Sequence, residues 1–156
     1  MSLLGQPAPD FTLPNTKKEP VALSSFRGQT LVIAFYPAAF TGVCQKELCT
    51  FRDTIGGLSE AGAAVVGISV DMPFSNGGFA SANGINFPLL SDVHRTAVRA
   101  YGVSWPNFAG IEGLEVANRS VFVVNAEGNV VYEWVAPNPG VEPDYEAVKA
   151  AARGGA

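Results

Sequence analysis

Residues 31–58 read LVIAFYPAAFTGVCQKELCTFRDTIGGL, and this stretch decides the fold. Its first six residues form an uninterrupted apolar run rich in β-preferring side chains, which is typical of a strand buried on both faces of a sheet. Pro37 ends the run, and apolar side chains then recur on one helical face, which predicts a helix over residues 42–58. The sequence therefore predicts a central strand that leads directly into a long helix.

The rest of the chain alternates further strands with helices, and no internal repeat or long linker divides it. Predicted strands lie at residues 10–13, 21–23, 63–70, 87–90, 120–125 and 129–135, the last two joined as a hairpin. Predicted helices lie at 93–101 and 144–153, with a shorter one around Phe79 inside a loop over 72–86, and residues 104–118 form a long loop. We expect an α/β fold of the thioredoxin-like type, with an N-terminal extension ahead of a central mixed sheet flanked by helices.

Composition and charge narrow the class of protein. The 156 residues are 47% apolar and only 15% charged, so we expect a single domain over residues 1–156 with a generous core. The net charge of −4, without a basic patch, argues against a nucleic-acid partner. The apolar runs are too short to cross a bilayer, and the first residues show no secretory signal. We therefore expect a cytoplasmic protein without a membrane partner.

The chain contains two cysteines, Cys44 and Cys49, and one histidine, His94. These residues limit the thiol and imidazole chemistry that it can carry out. A structural disulfide framework is not expected in a cytosolic protein of this size, and a metal site for zinc lacks the ligands for a four-coordinate shell. A Cys-x-x-Cys motif is absent, which argues against a thiol–disulfide oxidoreductase that acts on protein disulfides. Two interpretations stay open at this point, a pair of buried inert thiols and a redox-active pair.

Cys44 falls in the first turn of the predicted helix, directly after the central strand. Unpaired backbone N–H groups and a partial positive charge at a helix start favour a thiolate, but a helix end contributes only about 0.3–1 kcal/mol. Lowering a thiol pKa from about 8.5 to about 6 requires roughly 3.4 kcal/mol, more than the maximum of about 2 kcal/mol from a helix end, so something else must help, and a guanidinium would. Arg119 stands immediately before strand 120–125, and its guanidinium reaches the cysteine if that strand pairs with residues 31–36.

Four motifs follow one another along the chain. They are APDF at residues 8–11, the spacing Pro37-x-x-x-Thr41-x-x-Cys44, FPLLSD at residues 87–92, and NRSVFVV at residues 118–124. In this combination and order the chain resembles the peroxiredoxin family over nearly its whole length. The spacing of the second cysteine, Cys44-x4-Cys49, is similar to that of the bacterioferritin comigratory protein (PrxQ) branch, while the long loop before NRSVFVV also resembles one-cysteine bacterial members.

The resemblance implies a peroxidase that reduces hydrogen peroxide and organic hydroperoxides with no metal, haem, flavin or other cofactor. Cys44 matches the peroxidatic cysteine, whose thiolate attacks the peroxide and becomes a sulfenic acid. Thr41 matches the residue whose hydroxyl hydrogen-bonds the peroxide, Pro37 the residue that shields the thiolate from water, and Arg119 the cation that lowers the thiol pKa. The backbone N–H groups of Val43 and Cys44 complete the polarising set.

Cys49 matches, through the same resemblance, a second cysteine that resolves the sulfenic acid as an intramolecular Cys44–Cys49 disulfide. Thioredoxin or a similar dithiol reductant then recycles the enzyme. In an intact helix, residues five apart have Cα atoms roughly 8.6 Å apart, whereas a disulfide needs about 6.8 Å or less, so the first turns must unwind. Two alternatives stay open, a one-cysteine peroxiredoxin resolved by an external thiol and a non-catalytic thiol redox sensor.

Glu47 matches an acidic or amide position three residues after the cysteine, and at helical spacing it lies over Cys44. Its negative charge raises the thiol pKa when unpaired, so we expect it to pair with Arg119 and to orient the guanidinium. Phe40 is a candidate for the wall that binds the peroxide, with packing in the core as the other interpretation. An apolar patch around Phe40 and Trp105 would suit a dimer face, and the sequence leaves monomer and homodimer open.

Overall fold

The computed structural model describes residues 2–60 and 62–154, except the side chains at positions 44 and 54–60. Within these residues the strands are β1 (Thr12–Pro14), β2 (Pro20–Ala22), β3 (Thr30–Phe35), β4 (Ala63–Ser69), β5 (Leu89–Ser91), β6 (Ser104–Trp105), β7 (Val116–Ala117), β8 (Ser120–Val124) and β9 (Val130–Val135). The α-helices are α1 (Gly42–Glu60), α2 (Pro73–Asn83), α3 (Thr96–Ala100) and α4 (Tyr145–Gly154).

The main sheet has the strand order β5-β4-β3-β8-β9, with β3 in its middle. Strands β3, β4 and β5 run parallel, while β8 pairs antiparallel with β3 and with β9. All six residues of β3 are buried, because side chains cover both faces of the sheet. The predicted central strand and the β8–β9 hairpin are confirmed, and the arrangement is the expected thioredoxin-like α/β fold. The β1–β2 pair forms a separate small sheet in the N-terminal extension.

Two apolar clusters cover the two faces of the main sheet. One joins α1, α2 and α4 to the sheet through Leu48, Phe79 and Val148, which are fully buried. The other contains Tyr101 and Phe122, whose ring centroids lie 5.2 Å apart. Packing on the first face holds the start of α1 close to the end of β3. In the part of the chain that the structure describes, none of the helices combines the length and the hydropathy of a bilayer-spanning segment.

Helix α2 is longer than the short helix around Phe79 that the sequence predicts. The stretch 72–86 is rich in Gly, Asn and Ser, which favours a loop, yet 11 of its residues are helical. Pro73 occupies the first turn, Phe79 is fully buried, and Gly84 ends the helix with a left-handed φ of 60°. Burial against the sheet therefore outweighs the weak local helix propensity.

Helix α3 is shorter than the predicted 93–101, because Arg95 has a φ of 61° and the helical backbone begins only after it. The buried Asp92 carboxylate accepts a hydrogen bond from the Val98 N–H at 2.8 Å and so holds the turn that precedes the helix. The predicted long loop over 104–118 contains a short antiparallel pair, β6 with β7.

Candidate active site

Antiparallel pairing of β3 with β8 brings Arg119 to the start of α1. The register places Ser120, the first residue of β8, opposite Phe35, the last residue of β3, and Arg119 comes just before it. Helix α1 begins at Gly42, so the backbone of Cys44 lies in its first turn. The predicted meeting of these two segments is confirmed. The side chain of Cys44 lies outside the described residues.

Arg119 is buried and held in one orientation. Its Nη1 lies 2.7 Å from Glu47 Oε1, and its Nε donates to the carbonyl oxygen of Pro139 at 2.9 Å. The side chains of Arg119 and Glu47 are 2% and 0% exposed, so the ion pair is shielded from solvent. The predicted pairing of Glu47 with Arg119 is therefore confirmed, and it fixes where the guanidinium can place its positive charge.

Glu47 is a buried carboxyl with a shifted pKa. Burial raises the pKa of Glu47 from its ordinary value of 4.5 to about 7, and the charge and hydrogen bond of Arg119 oppose that rise. The Glu142 carboxylate raises it further by repulsion. Among the described residues, the second oxygen of Glu47, Oε2, finds no hydrogen-bond partner, which adds to the cost of ionising this carboxyl.

A pocket of about 200 Å³ opens between the start of α1 and Arg119. It is lined by Thr41, Gly42, Val43, Phe108, Arg119, Pro139 and Gly140. The guanidinium supplies positive charge, while Val43, Phe108 and Pro139 supply apolar surface. The sequence predicts Thr41, Val43 and Arg119 as site residues but misses Pro139, because no motif marks a backbone carbonyl that reaches Arg119 from 20 residues further along the chain.

The residues that precede α1 take different positions. The Thr41 hydroxyl donates to the carbonyl of Ala38 at 2.9 Å, and Thr41 also lines the pocket. Pro37 is buried. Phe40 is 59% exposed, and its ring packs edge-to-face against the ring of Phe79 at a centroid distance of 5.3 Å. The structure therefore brings Thr41 to the pocket and does not bring Phe40 to its wall.

Cys49 lies in the same unbroken helix as Cys44 and is half-buried with a free thiol. Its Sγ lies 3.9 Å from Oδ1 of Asn83, the last residue of α2. Both predicted redox residues, Cys44 and Cys49, therefore lie in helix α1, and the helix is intact between them. Among the described side chains, no group of three His, Cys, Asp or Glu residues comes together as a metal site.

Known proteins of one family are similar to this chain along most of its length. The model of the AhpC/TSA family matches residues 4–133. Alkyl hydroperoxide reductase E of Mycobacterium tuberculosis is 40% identical over 128 residues, which is 80% of each chain. The crystal structure of peroxidoxin BcpB from Mycobacterium tuberculosis superposes with a TM-score of 0.86 at 29% identity, covering 99% of this chain and 98% of that one. Peroxiredoxin Q of Xanthomonas campestris gives a TM-score of 0.81 at 31% identity, covering 92% and 90%. The chain therefore belongs to the AhpC/TSA family and is a peroxiredoxin, with similarity to the branch of bacterioferritin comigratory protein and peroxiredoxin Q.

Proposed function

We propose that this peroxiredoxin reduces hydrogen peroxide and organic hydroperoxides with the Cys44 thiolate as its nucleophile. The observation that carries the proposal is the buried Arg119 guanidinium in the wall of a pocket that also contains the first residues of α1. A fixed cation in a shielded pocket stabilises a thiolate, and it also stabilises the negative charge that develops on oxygen as an O–O bond lengthens. Both effects serve a thiol-dependent peroxidase.

The first chemical step transfers one oxygen atom to sulfur. The Cys44 thiolate attacks one oxygen of the hydroperoxide, an S–O bond forms, and the O–O bond breaks. The leaving alkoxide or hydroxide takes up a proton and departs as alcohol or water. Cys44 is oxidised by two electrons to a sulfenic acid, and the hydroperoxide is reduced by the same two electrons.

The pocket residues have separate tasks in this step. The Thr41 hydroxyl donates its hydrogen bond to the backbone carbonyl of Ala38, so its oxygen is left to accept a hydrogen bond from the O–H of the hydroperoxide. Arg119 donates to the oxygen that accumulates charge, together with the backbone N–H groups of Val43 and Cys44. The buried Pro37 limits the access of water to the sulfur.

Arg119 acts most strongly on the thiol when Glu47 is neutral. A carboxylate 2.7 Å away offsets much of the guanidinium charge. Because burial raises the pKa of Glu47 to about 7, the protonated form of this carboxyl is accessible near neutral pH. A helix start supplies about 0.3–1 kcal/mol, and at most about 2, of the roughly 3.4 kcal/mol needed to bring a thiol pKa to about 6, so the charge of Arg119 contributes to the remainder.

The second step in this proposal uses Cys49. Its thiol attacks the sulfur of the Cys44 sulfenic acid, an S–S bond forms, the S–O bond breaks, and water leaves. A dithiol reductant of the thioredoxin type then reduces the disulfide and is itself oxidised to a disulfide. The support for this step is the half-buried free thiol of Cys49 and its spacing from Cys44.

The unbroken helix α1 favours a second candidate, a one-cysteine peroxiredoxin whose sulfenic acid is resolved by an external thiol. In the helical form the two cysteine Cα atoms stand too far apart for a disulfide, and an external thiol needs no unwinding.

Two serine variants separate these candidates. Cys44→Ser is expected to abolish peroxide consumption. Cys49→Ser is expected to keep the first oxidation and to lose thioredoxin-driven turnover, with mass spectrometry under non-reducing conditions showing a lasting sulfenic or sulfinic acid instead of a disulfide. Full thioredoxin-linked activity in Cys49→Ser would assign Cys49 to packing, and peroxide consumption by Cys44→Ser would overturn the proposed function.

A further inference from the structure

Asn83, at the end of α2, touches α1 at three points. Gln45 Nε2 donates to Asn83 Oδ1 at 2.8 Å, and the Cys49 thiol lies 3.9 Å from the same oxygen. Arg52 Nη1 donates to the backbone carbonyl of Asn83. These partners recur along α1 at intervals of four and three residues, so they lie on one helical face.

We propose that Asn83 is the positioning residue of the resolving step. It keeps the start of α1 helical and holds the Cys49 thiol away from Cys44, and so it sets how long the sulfenic acid lasts. This inference rests on the proposed function, in which Cys49 resolves the sulfenic acid.

The carboxamide of Asn83 is itself fixed in orientation. Its Nδ2 donates to the Phe79 carbonyl at 3.0 Å, one turn earlier in α2, and Phe79 is fully buried in the core. With the donor side used in this way, Oδ1 is left facing α1. An acceptor held on a core-anchored helix loses little further freedom when it binds Gln45, which makes the contact more stabilising than one between two mobile side chains.

The disulfide requires the segment that Asn83 holds to open. Residues five apart in a helix have Cα atoms roughly 8.6 Å apart, and a disulfide needs about 6.8 Å or less. Gln45 lies between the two cysteines, so unwinding there breaks its hydrogen bond to Asn83. Arg52 lies beyond Cys49, and its bond to the Asn83 carbonyl keeps the rest of α1 attached to α2. The opening is thereby confined to the first turns.

Removing the Asn83 side chain therefore speeds the second step without changing the first. Loss of one hydrogen bond from a partly exposed site raises the opened population by roughly three- to tenfold. Asn83→Ala is expected to form the Cys44–Cys49 disulfide faster by that factor after one equivalent of hydrogen peroxide, in a quenched-flow experiment read by non-reducing mass spectrometry. The rate of sulfenic acid formation stays within twofold of the wild type. With excess peroxide the variant also accumulates less sulfinic acid, because a shorter-lived sulfenic acid is oxidised further less often.

Ser81→Ala is the matched control, since Ser81 is an exposed residue of the same helix. It is expected to keep the wild-type rates of both steps. A merely structural role of Asn83 would instead slow both steps together. A disulfide rate in Asn83→Ala equal to or below that of Ser81→Ala would overturn the inference.

Hydrogen exchange of the backbone amides in the first turns of α1 gives a second measurement that does not depend on Cys49 chemistry. Asn83→Ala and Gln45→Ala are each expected to speed exchange there, and the double variant to add little, because both remove the same bond. Unchanged exchange in Asn83→Ala would overturn the inference even in a protein that forms no disulfide. A wild-type protein that forms no disulfide would by itself contradict only the Cys49 step of the proposed function.

Discussion

Replacing Glu47 with Gln tests whether the buried carboxyl of the site titrates near neutral pH. Burial raises the pKa of Glu47 to about 7, whereas in the unfolded chain the group has its ordinary value of 4.5. Between these values the folded protein holds a proton that the unfolded chain releases. The free energy of unfolding therefore falls as the pH rises, by about 1.4 kcal/mol per pH unit. From pH 5 to pH 8 the wild type loses about 2–3 kcal/mol through this group, and Glu47→Gln, which cannot titrate, does not.

Urea unfolding of both proteins at pH 5, 6, 7 and 8 measures this difference. As the pH rises from 5 to 8, the free energy of unfolding of Glu47→Gln is expected to increase by about 2–3 kcal/mol relative to that of the wild type. Glu112→Gln is the matched control, since Glu112 is an exposed glutamate in the loop between β6 and β7. Its profile is expected to keep the wild-type slope. A Glu47→Gln profile parallel to that of the wild type would show Glu47 ionised throughout and would refute the reasoning.

Two further substitutions test the cation and the packing of the sheet. Arg119→Lys keeps the charge but loses the planar guanidinium whose nitrogens bind Glu47 and the Pro139 carbonyl. In stopped-flow measurements the rate of reaction with peroxide is therefore expected to fall by about 10²-fold or more. A rate within twofold of the wild type would contradict this role. Gly67→Ala places a Cβ 2.8 Å from Leu89 Cδ2 and 3.2 Å from Tyr36 Cε1, so urea unfolding is expected to show a loss of about 1–3 kcal/mol, and an unchanged midpoint would contradict the crowding.

Local patterns predict the strand–helix unit at the centre of the fold. The six apolar residues that open the quoted stretch are all buried, five of them lie in β3, and the helix after Pro37 is α1. The position of Arg119 near the start of α1 is predicted only if the strand that follows it pairs with β3. The antiparallel register of β3 with β8 confirms this pairing. These features were predictable because each depends on residue types within one element or on one strand pairing.

Features that depend on several distant segments were not predictable in this way. The glycines of α2 favour a loop, but Asn76 of this helix is buried and donates a hydrogen bond to Ser91 of β5 at 3.1 Å, a contact between distant segments that no local pattern shows. Arg119 donates to the backbone carbonyl of Pro139, and a backbone contact of this kind does not depend on residue type, so the sequence cannot predict it. The contact of Asn83 with Gln45 joins residues 38 apart, and a single Asn at a helix end suggests only a cap.

The ion pair between Glu47 and Arg119 spans 72 residues of chain, and this distance has a consequence during synthesis. At about 5–20 residues per second, the ribosome adds that stretch in roughly 4–14 s. Throughout this interval Cys44 has been translated and Arg119 has not. Under the proposed mechanism a thiol without its guanidinium reacts as an ordinary cysteine, so the newborn chain is spared rapid oxidation until the strand that carries the cation has paired.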